Sequence, residues 1–246
     1  MDATPEDRLL DGRVRLRQAL GGYRAGMDAA LLAAACDAPD GSRVLEVGCG
    51  VGGALLAAAA RRPNAIFVGM ERDMDALTLA RANVVLNNMG GRVAIWEGDV
   101  GEMFKALGSP TFDAVMANPP YFDDPNTLRL PPPAKRGAWM ADGGLAAWTS
   151  FLLKAVREGG SITMIHRADR LADILALLAP KAGSFQVRPV QAHADAPAKR
   201  VLVRAIKTGK APLLLLPPLV LHPREGAKHT DEAEAILRGA AALAWA

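Results

Sequence analysis

The chain has 246 residues, of which 50% are hydrophobic and 22% are charged, a globular composition that excludes a disordered chain. This length is enough for one substantial core and short for two independent domains. The acidic start, the proline-broken apolar run at 211–221 and the two separated cysteines indicate no export signal, membrane span, disulfide framework or metal site. We therefore expect a cytoplasmic enzyme, although the net charge of +3 says little by itself.

Strands and helices alternate along most of the chain. A hairpin is predicted at 8–19 and a helix at 27–38, and the segments that follow are typical of buried strands and amphipathic helices. Strands are predicted at 43–48, 65–70, 92–99, 112–120 and 161–166, and helices at 53–62, 75–88, 101–107, 143–157 and 167–180. This alternation predicts an α/β fold with a doubly wound, mostly parallel sheet and helices on both faces. Two consecutive strands, 184–193 and 200–207, predict an antiparallel hairpin that closes the sheet.

The same reading divides the chain into three parts. Residues 1–40 form an N-terminal extension of a hairpin and a helix that packs on the core. Residues 41–210 form the main domain, and residues 211–246 form an extended segment followed by a helix from about Asp231.

A glycine-rich turn joins the first strand of the main domain to its helix. The stretch "LEVGCGVGG" (45–53) places Gly48, Gly50 and Gly52 where backbone can approach a ligand and helix-start N–H groups are free. Gly48, Gly50 and Gly53 also satisfy the G-x-G-x-x-G spacing of dinucleotide-binding turns, so that alternative stays open.

Acidic residues close the next two strands at the same sheet edge. Glu71 follows the second strand, where its carboxylate can accept hydrogen bonds from a ribose, and Asp99 follows the third. The combination resembles the class I S-adenosylmethionine-dependent methyltransferases, whose acidic glycine motif matches Glu46 to Gly52. The resemblance implies a Rossmann-like fold, S-adenosylmethionine as cofactor, Glu46 and the three glycines in its site, and contacts from Asp99 and Val100 to the adenine ring.

The fourth strand ends in Asn118, Pro119, Pro120 and Tyr121. The proline after Asn118 holds that residue in an extended conformation, and the fixed φ angles direct the Pro119 carbonyl. Two acceptors that grip the hydrogens of an aromatic amino group favour a pyramidal nitrogen, whose lone pair can point at a sulfonium methyl. Tyr121 offers a flat face on which a base can stack. This motif is typical of methyltransferases that act on planar nitrogens: adenine N6, guanine N2 or a glutamine amide.

The stretch at 12–35 narrows the choice. With the glycine turn and "NPPYF" it resembles the bacterial tRNA1(Val) (adenine-37-N6)-methyltransferases. That resemblance implies tRNA or another structured RNA as partner, and it places Asp28, in the element Gly26-Met27-Asp28-Ala29, in the cofactor pocket beside Asn118. The main rival is the glutamine methyltransferase of release factors, and rRNA guanine-N2 methylation is a further alternative. A non-catalytic RNA-binding protein or a dehydrogenase would not need Asn118 and Tyr121.

Basic residues accumulate near the C-terminal hairpin. Seven lysines and arginines but one acid, Asp195, lie between Lys181 and Lys210. Such an excess can face a polyanion or can belong to a solvated surface. The four histidines show no metal spacing and are interpreted as structural or surface residues. The oligomeric state is not indicated by the sequence.

Overall fold

The structure is a computed structural model that describes residues 6–19, 25–101, 111–121 and 144–246. Apart from Gly101, the helix predicted at 101–107 lies outside these residues, and so does the loop between Tyr121 and the helix predicted from 143. The remaining predicted strands and helices can be compared with the structure directly.

The N-terminal part forms the predicted hairpin and helix. Strands β1 (Glu6–Leu9) and β2 (Val14–Arg17) pair antiparallel. Helix α1 (Met27–Ala35) follows, and it is buried along almost its whole length because it consists of alanine and leucine after its first turn. The side chain of Asn83 holds the hairpin in place through two hydrogen bonds to the backbone of Arg17. Its Oδ1 accepts the Arg17 N–H at 2.8 Å, and its Nδ2 donates to the Arg17 carbonyl at 3.0 Å.

Nine further strands form one sheet, and their bounds follow the predicted pattern closely. They are β3 (Arg43–Val47), β4 (Ile66–Glu71), β5 (Val93–Glu97), β6 (Phe112–Ala117), β7 (Val156–Arg167), β8 (Ala182–Gln191), β9 (Arg200–Lys207), β10 (Leu214–Leu215) and β11 (Leu219–Val220). The order is β10-β8-β9-β7-β6-β3-β4-β5, and β11 also pairs with β8. Strand β9 runs antiparallel to both of its neighbours, whereas the other strand pairs of this sheet are parallel. The predicted mostly parallel sheet with a C-terminal antiparallel hairpin is confirmed.

Helices cover both faces of this sheet. They are α2 (Gly53–Arg61), α3 (Met74–Leu86), α4 (Gly144–Ala155), α5 (Leu171–Leu178) and α6 (Asp231–Arg238). One buried cluster contains Leu31, Leu55 and Phe67 from the side of α1 and α2. A second contains Leu45 and Leu152 from the side of α4 and α5. Because both faces are covered, the central strands read as continuous apolar runs.

The strand register brings several chain segments to one edge of the sheet. Val47 at the end of β3 pairs with Met70 on one side and with Ala117 on the other, and Ala117 pairs with Met164. The carboxyl ends of β3, β4, β5, β6 and β7 therefore lie side by side, and we call this the carboxyl edge. Strand β9 begins here because it runs in the opposite direction and pairs Arg200 with Arg167.

Three elements differ from the sequence prediction. Strand β7 begins at Val156, five residues earlier than predicted, and its pairing with β6 is irregular between Phe112 and Ala114. The helix predicted at 167–180 begins at Leu171, after a 3₁₀ turn. The extended segment after 211 adds β10 and β11 to the sheet, although only four residues pair. None of the helices formed by the described residues is long and apolar enough to cross a membrane.

Candidate active site

The glycine turn follows β3 at the carboxyl edge. Gly48, Gly50 and Gly52 have φ angles of 67°, 54° and 88°, in the left-handed region that side chains with a Cβ rarely adopt. The Gly48 and Cys49 N–H groups donate to the Met70 carbonyl at 2.8 and 3.0 Å, which fixes the turn against β4. Gly52 caps the start of α2.

Two of these glycines have opposite surroundings. A Cβ built on Gly48 would lie 2.3 Å from Cη2 of Trp148, so the α4 indole packs directly on the turn. Apart from Gly50 itself and its chain neighbours Cys49 and Val51, no atom of the described residues lies within 4 Å of a Cβ built on Gly50. The turn is therefore packed on one side and open on the other, which is the arrangement that lets a ligand approach the backbone.

Glu71 lies beside the open part of the turn. Its Oε2 accepts the Gly50 N–H at 2.8 Å, and its Oε1 accepts the backbone N–H groups of Arg72 and Asp73 at 2.9 and 2.8 Å. These bonds fix the carboxylate at the end of β4. A carboxylate in this place can accept hydrogen bonds from a ribose, as the sequence predicts.

Asp99 and Val100 lie after β5 at the same edge. Asp99 accepts the Gly101 N–H at 2.7 Å and forms an ion pair with Arg72 at 3.1 Å. Val100 is partly buried against the second core cluster. The structure brings these residues and Glu71 to neighbouring strand ends, and the adenine contact stays a prediction.

Glu46 is buried beneath the turn, with 3% of its surface exposed. Burial raises the pKa of its carboxyl group well above the ordinary range, against a hydrogen bond from the Leu55 backbone that lowers it, and the charge of Glu71 raises it further. The carboxyl group therefore holds its proton far more readily than a solvated glutamate. Its predicted contact to the cofactor stays a prediction.

The Asn-Pro-Pro-Tyr motif follows β6 directly. Because Val47 pairs with Ala117, Asn118 lies across from Gly48 at adjacent strand ends. Asn118 is half-buried with its Oδ1 fully buried, and Pro119 is buried. The catalytic residues expected from the sequence and the glycine turn therefore meet at one place.

Tyr121 makes three side-chain contacts at this place. Its hydroxyl donates to Oδ2 of Asp28 at 2.5 Å, and the guanidinium carbon of Arg200 lies 4.5 Å from its ring centroid. Arg200 Nε also donates to Asp28 Oδ2, at 3.2 Å. The ring of His166 meets the tyrosine edge-to-face, with the two centroids 5.2 Å apart, and His166 is fully buried.

Trp148, His166 and Arg200 were not among the site residues predicted from the sequence, although the first contacts Gly48 and the other two contact Tyr121. His166 is the residue before the last of β7 and Arg200 starts the antiparallel β9, so the order and direction of the strands place both at the carboxyl edge. A rule that examines every strand end at this edge would have selected them. Trp148 comes from the middle of a helix and carries no such signal.

The basic stretch from Lys181 to Lys210 does not form one surface. Arg200 lies at the carboxyl edge, whereas Lys207 lies at the opposite end of β9, paired with Ala182. Four of the seven cations bind groups of the protein itself: Arg188 to carbonyls of 217 and 244, Arg200 to Asp28, Arg204 to Asp37 and Lys207 to Glu158 and the carbonyl of 156. The structure divides this stretch between the two ends of β9, and the two alternatives that the sequence left open, a polyanion-binding surface and a solvated surface, both stay predictions.

The described residues contain no group of three or more histidines, cysteines, aspartates or glutamates that could hold a metal ion. Cys36 and Cys49 are both buried and unpaired with one another.

Two solved structures that share this architecture are described as methyltransferases. A protein described as a predicted O-methyltransferase from Agrobacterium tumefaciens superimposes with a TM-score of 0.73 at 26% identity, covering 87% of this chain and 97% of that one. The chain has the class I methyltransferase fold. A methyltransferase subunit of a type I restriction-modification system from Streptococcus thermophilus shares this fold, with a TM-score of 0.60 over 87% of this chain and 52% of that one, at 16% identity.

Sequence comparison agrees with the fold. The family model described as the methyltransferase small domain matches residues 24–129, a range that contains Asp28, the glycine turn and Tyr121. A tRNA1(Val) (adenine(37)-N6)-methyltransferase of Aeromonas salmonicida is 34% identical over 44% of this chain and 44% of that protein. The predicted resemblance to that family is confirmed, and the cofactor of these methyltransferases is S-adenosylmethionine.

The rival family matches as well. A release factor glutamine methyltransferase of Caulobacter vibrioides is 32% identical over 60% of this chain and 53% of that protein. The chain thus covers about half the length of the curated relatives it matches. The chain is thus similar to methyltransferases with different acceptors: the Aeromonas salmonicida relative is named for an adenine of tRNA and the Caulobacter vibrioides relative for a glutamine of release factors.

Proposed function

We propose that this protein methylates the exocyclic N6 of an adenine in tRNA, with S-adenosylmethionine as the methyl donor. The observation that carries the proposal is the arrangement at Tyr121: the aromatic ring after the Asn-Pro-Pro motif has the guanidinium of Arg200 at 4.5 Å. An acceptor base that stacks on this ring brings a phosphate with it, and an arginine beside the ring offers that phosphate a partner. A glutamine side chain brings no phosphate.

The described residues fit the cofactor. The open side of Gly50 can accept a ligand against the backbone, and the Glu71 carboxylate, fixed by three backbone N–H groups, would hold the ribose. Asp99 and Val100 would border the adenine. When bound, S-adenosylmethionine supplies a methyl group on a positively charged sulfur.

The acceptor side needs positioning rather than an activated nucleophile. The Asn118 side-chain oxygen and the Pro119 carbonyl would accept the two amino hydrogens, which localises the nitrogen lone pair for attack on the methyl carbon. The methyl–nitrogen bond would form as the methyl–sulfur bond breaks with its electron pair left on sulfur, and the nitrogen would then release one of its two protons. Tyr121 would hold the plane of the base. Orientation of this kind, together with fixed dipoles, accounts for large rate effects without a metal or a covalent intermediate.

Glutamine methylation is the second candidate, because the release factor glutamine methyltransferase of Caulobacter vibrioides matches 60% of the chain, against 44% for the tRNA enzyme of Aeromonas salmonicida. An amide nitrogen is also planar and can be gripped by the same two acceptors. Methylation of guanine N2 in rRNA would use the same grip on a larger base.

Labelled S-adenosylmethionine with tRNA that lacks the modification, or with a release factor, distinguishes these acceptors. We expect N6-methyladenosine in digests of the tRNA and no label in the protein. Asn118→Ala should abolish transfer while the affinity for S-adenosylmethionine and the melting temperature stay nearly unchanged. Asn87→Ala is the matched control: Asn87 binds the Arg15 backbone and supports the hairpin, so this variant should lose stability and keep activity. Methylglutamine in the release factor, with unlabelled tRNA, would overturn the proposal.

A further inference from the structure

We infer that Asp28 and Arg200 are positioning residues for the acceptor, which act by fixing the ring of Tyr121. This inference rests on the proposed function for its choice of acceptor. It assigns Asp28 to the acceptor side of the site, whereas the family resemblance implied the cofactor pocket.

One carboxylate oxygen of Asp28 links the side chains of Tyr121 and Arg200. Oδ2 of Asp28 accepts both the Tyr121 hydroxyl, at 2.5 Å, and the Arg200 Nε–H, at 3.2 Å. Asp28 lies in the first turn of α1, where the helix dipole favours its negative charge. The tyrosine is thereby anchored at its far end to a helix that precedes the glycine turn in the chain.

Residues of two strands, β7 and β9, contact the ring of Tyr121. Arg200 reaches it from the start of β9, and the fully buried His166 contacts it from the end of β7. Three elements thus converge on one ring. A tyrosine held at its hydroxyl and against its ring loses little further rotational freedom when a base stacks on it, and such preorganisation increases affinity and rate.

An arginine at position 200 can make contacts that a lysine cannot. A guanidinium can stack on an aromatic ring and donate an in-plane hydrogen bond at the same time, which the ammonium of lysine cannot do. The Arg200 side chain also remains 31% exposed, so it is accessible to a phosphate of the acceptor. The planar shape of the guanidinium therefore serves the contact with the Tyr121 ring, whereas its charge can serve a phosphate of the acceptor.

The chain offers a matched control for a purely structural role. Arg204 lies four residues further along β9, on the same face, and its Nε donates to Asp37 at 2.6 Å. This pair also joins the region of α1 to β9, but it lies about 13 Å along the strand from Arg200. If the Asp28–Arg200 ion pair only stabilised the packing of these elements, substitutions in it and in the Asp37–Arg204 pair would have the same effects on kcat/KM and Tm.

The test compares Asp28→Asn, Tyr121→Phe and Arg200→Lys with Asp37→Asn and Arg204→Lys. For each variant we would measure kcat and KM with the acceptor that the unmodified enzyme methylates, the Kd for S-adenosylmethionine by calorimetry, and Tm. We expect the first three to lower kcat/KM for the acceptor roughly tenfold, the size of one lost ordered contact, with the cofactor Kd within about twofold. The Asp37 and Arg204 variants should lower Tm without this kinetic effect.

A double variant sharpens the test. Because Asp28 acts through the tyrosine hydroxyl, Asp28→Asn combined with Tyr121→Phe should be little worse than either change alone. Fully additive losses, equal kinetic losses in the Arg204 pair, or a cofactor Kd raised more than about fivefold by Asp28→Asn would overturn the inference. If Asp28→Asn fails to fold, Tyr121→Phe still removes the same hydrogen bond.

A result that contradicts the proposed function can be distinguished from one that contradicts this inference. If tRNA is not methylated but a release factor is, the proposed function is wrong, and the same variants measured with that protein still decide whether Asp28 and Arg200 position the acceptor. The calorimetric comparison requires no acceptor at all, so it separates a cofactor role of Asp28 from an acceptor role in either case.

Discussion

Gly48 lies against the indole of Trp148, so closely that a Cβ on the glycine would come within 2.3 Å of the ring. The two residues are a hundred positions apart in the chain and meet because α4 packs on the face of the sheet next to β3. Gly48 also has a φ of 67°. It is thus required twice, once for the turn and once for the packing of the helix above it.

Alanine at Gly48 should therefore cost more stability than alanine at Gly50. Both substitutions place a side chain in the left-handed region, at about 1–2 kcal/mol, and Gly48→Ala adds overpacking against Trp148, at about 1–3 kcal/mol. Urea unfolding measures the difference. Gly50→Ala should chiefly weaken binding of S-adenosylmethionine, because its methyl group enters the open side of the turn. Equal losses of stability would contradict the packing argument.

Glu71→Ala should weaken S-adenosylmethionine binding by about 1–3 kcal/mol, because a buried ribose contact would lose its acceptor. Calorimetry measures the change. Glu97→Ala is the matched control, since Glu97 pairs with Glu71 in the strand register but is exposed at the end of β5. Unchanged affinity in Glu71→Ala, or an equal loss in the control, would remove Glu71 from the cofactor site.

The free energy of unfolding of Glu46→Gln should exceed that of the unmodified protein by an amount that grows as pH rises above 4.5, the ordinary pKa of a glutamate. In the unfolded chain Glu46 loses its proton near that pH, whereas burial raises the pKa in the folded state, so that the folded protein loses this proton only at a higher pH. Over this window the folded state binds more protons than the unfolded state, so the stability of the unmodified protein falls as pH rises. Glutamine has no proton to lose. Melting curves from pH 4.5 to 8 check this, and a constant difference between the two proteins would contradict it.

Salt dependence should distinguish the two ends of β9. Binding of tRNA should weaken with a slope of several units on a log–log plot, because phosphate contacts release counterions. Lys199 is exposed next to Arg200 at the carboxyl edge, and Lys210 is exposed at the opposite edge. Lys199→Ala should reduce the slope by about one unit, and Lys210→Ala should leave it unchanged. Equal effects would mean that RNA covers both edges.

Local sequence patterns were enough to predict most of the fold and the grouping of several site residues. Alternating apolar segments and turn residues predicted the order of strands and helices, because hydrophobic periodicity and glycine conformations are properties of short stretches. The same holds for the grouping of the glycine turn, Glu71 and Asp99: parallel strands end at one edge, so motifs at successive strand ends must lie together. Asn118 next to the turn follows from this rule as well.

Only the tertiary structure decided which side chains meet across that edge. Asp28, Tyr121 and Arg200 come from α1, the end of β6 and the start of β9, and no spacing in the sequence relates them. The antiparallel direction of β9 brings Arg200 to Tyr121 and carries Lys207 away to the other end of the sheet. Strand direction is set by packing and hydrogen bonding between distant segments, so a run of basic residues that looks continuous in the sequence is divided between two sides of the protein.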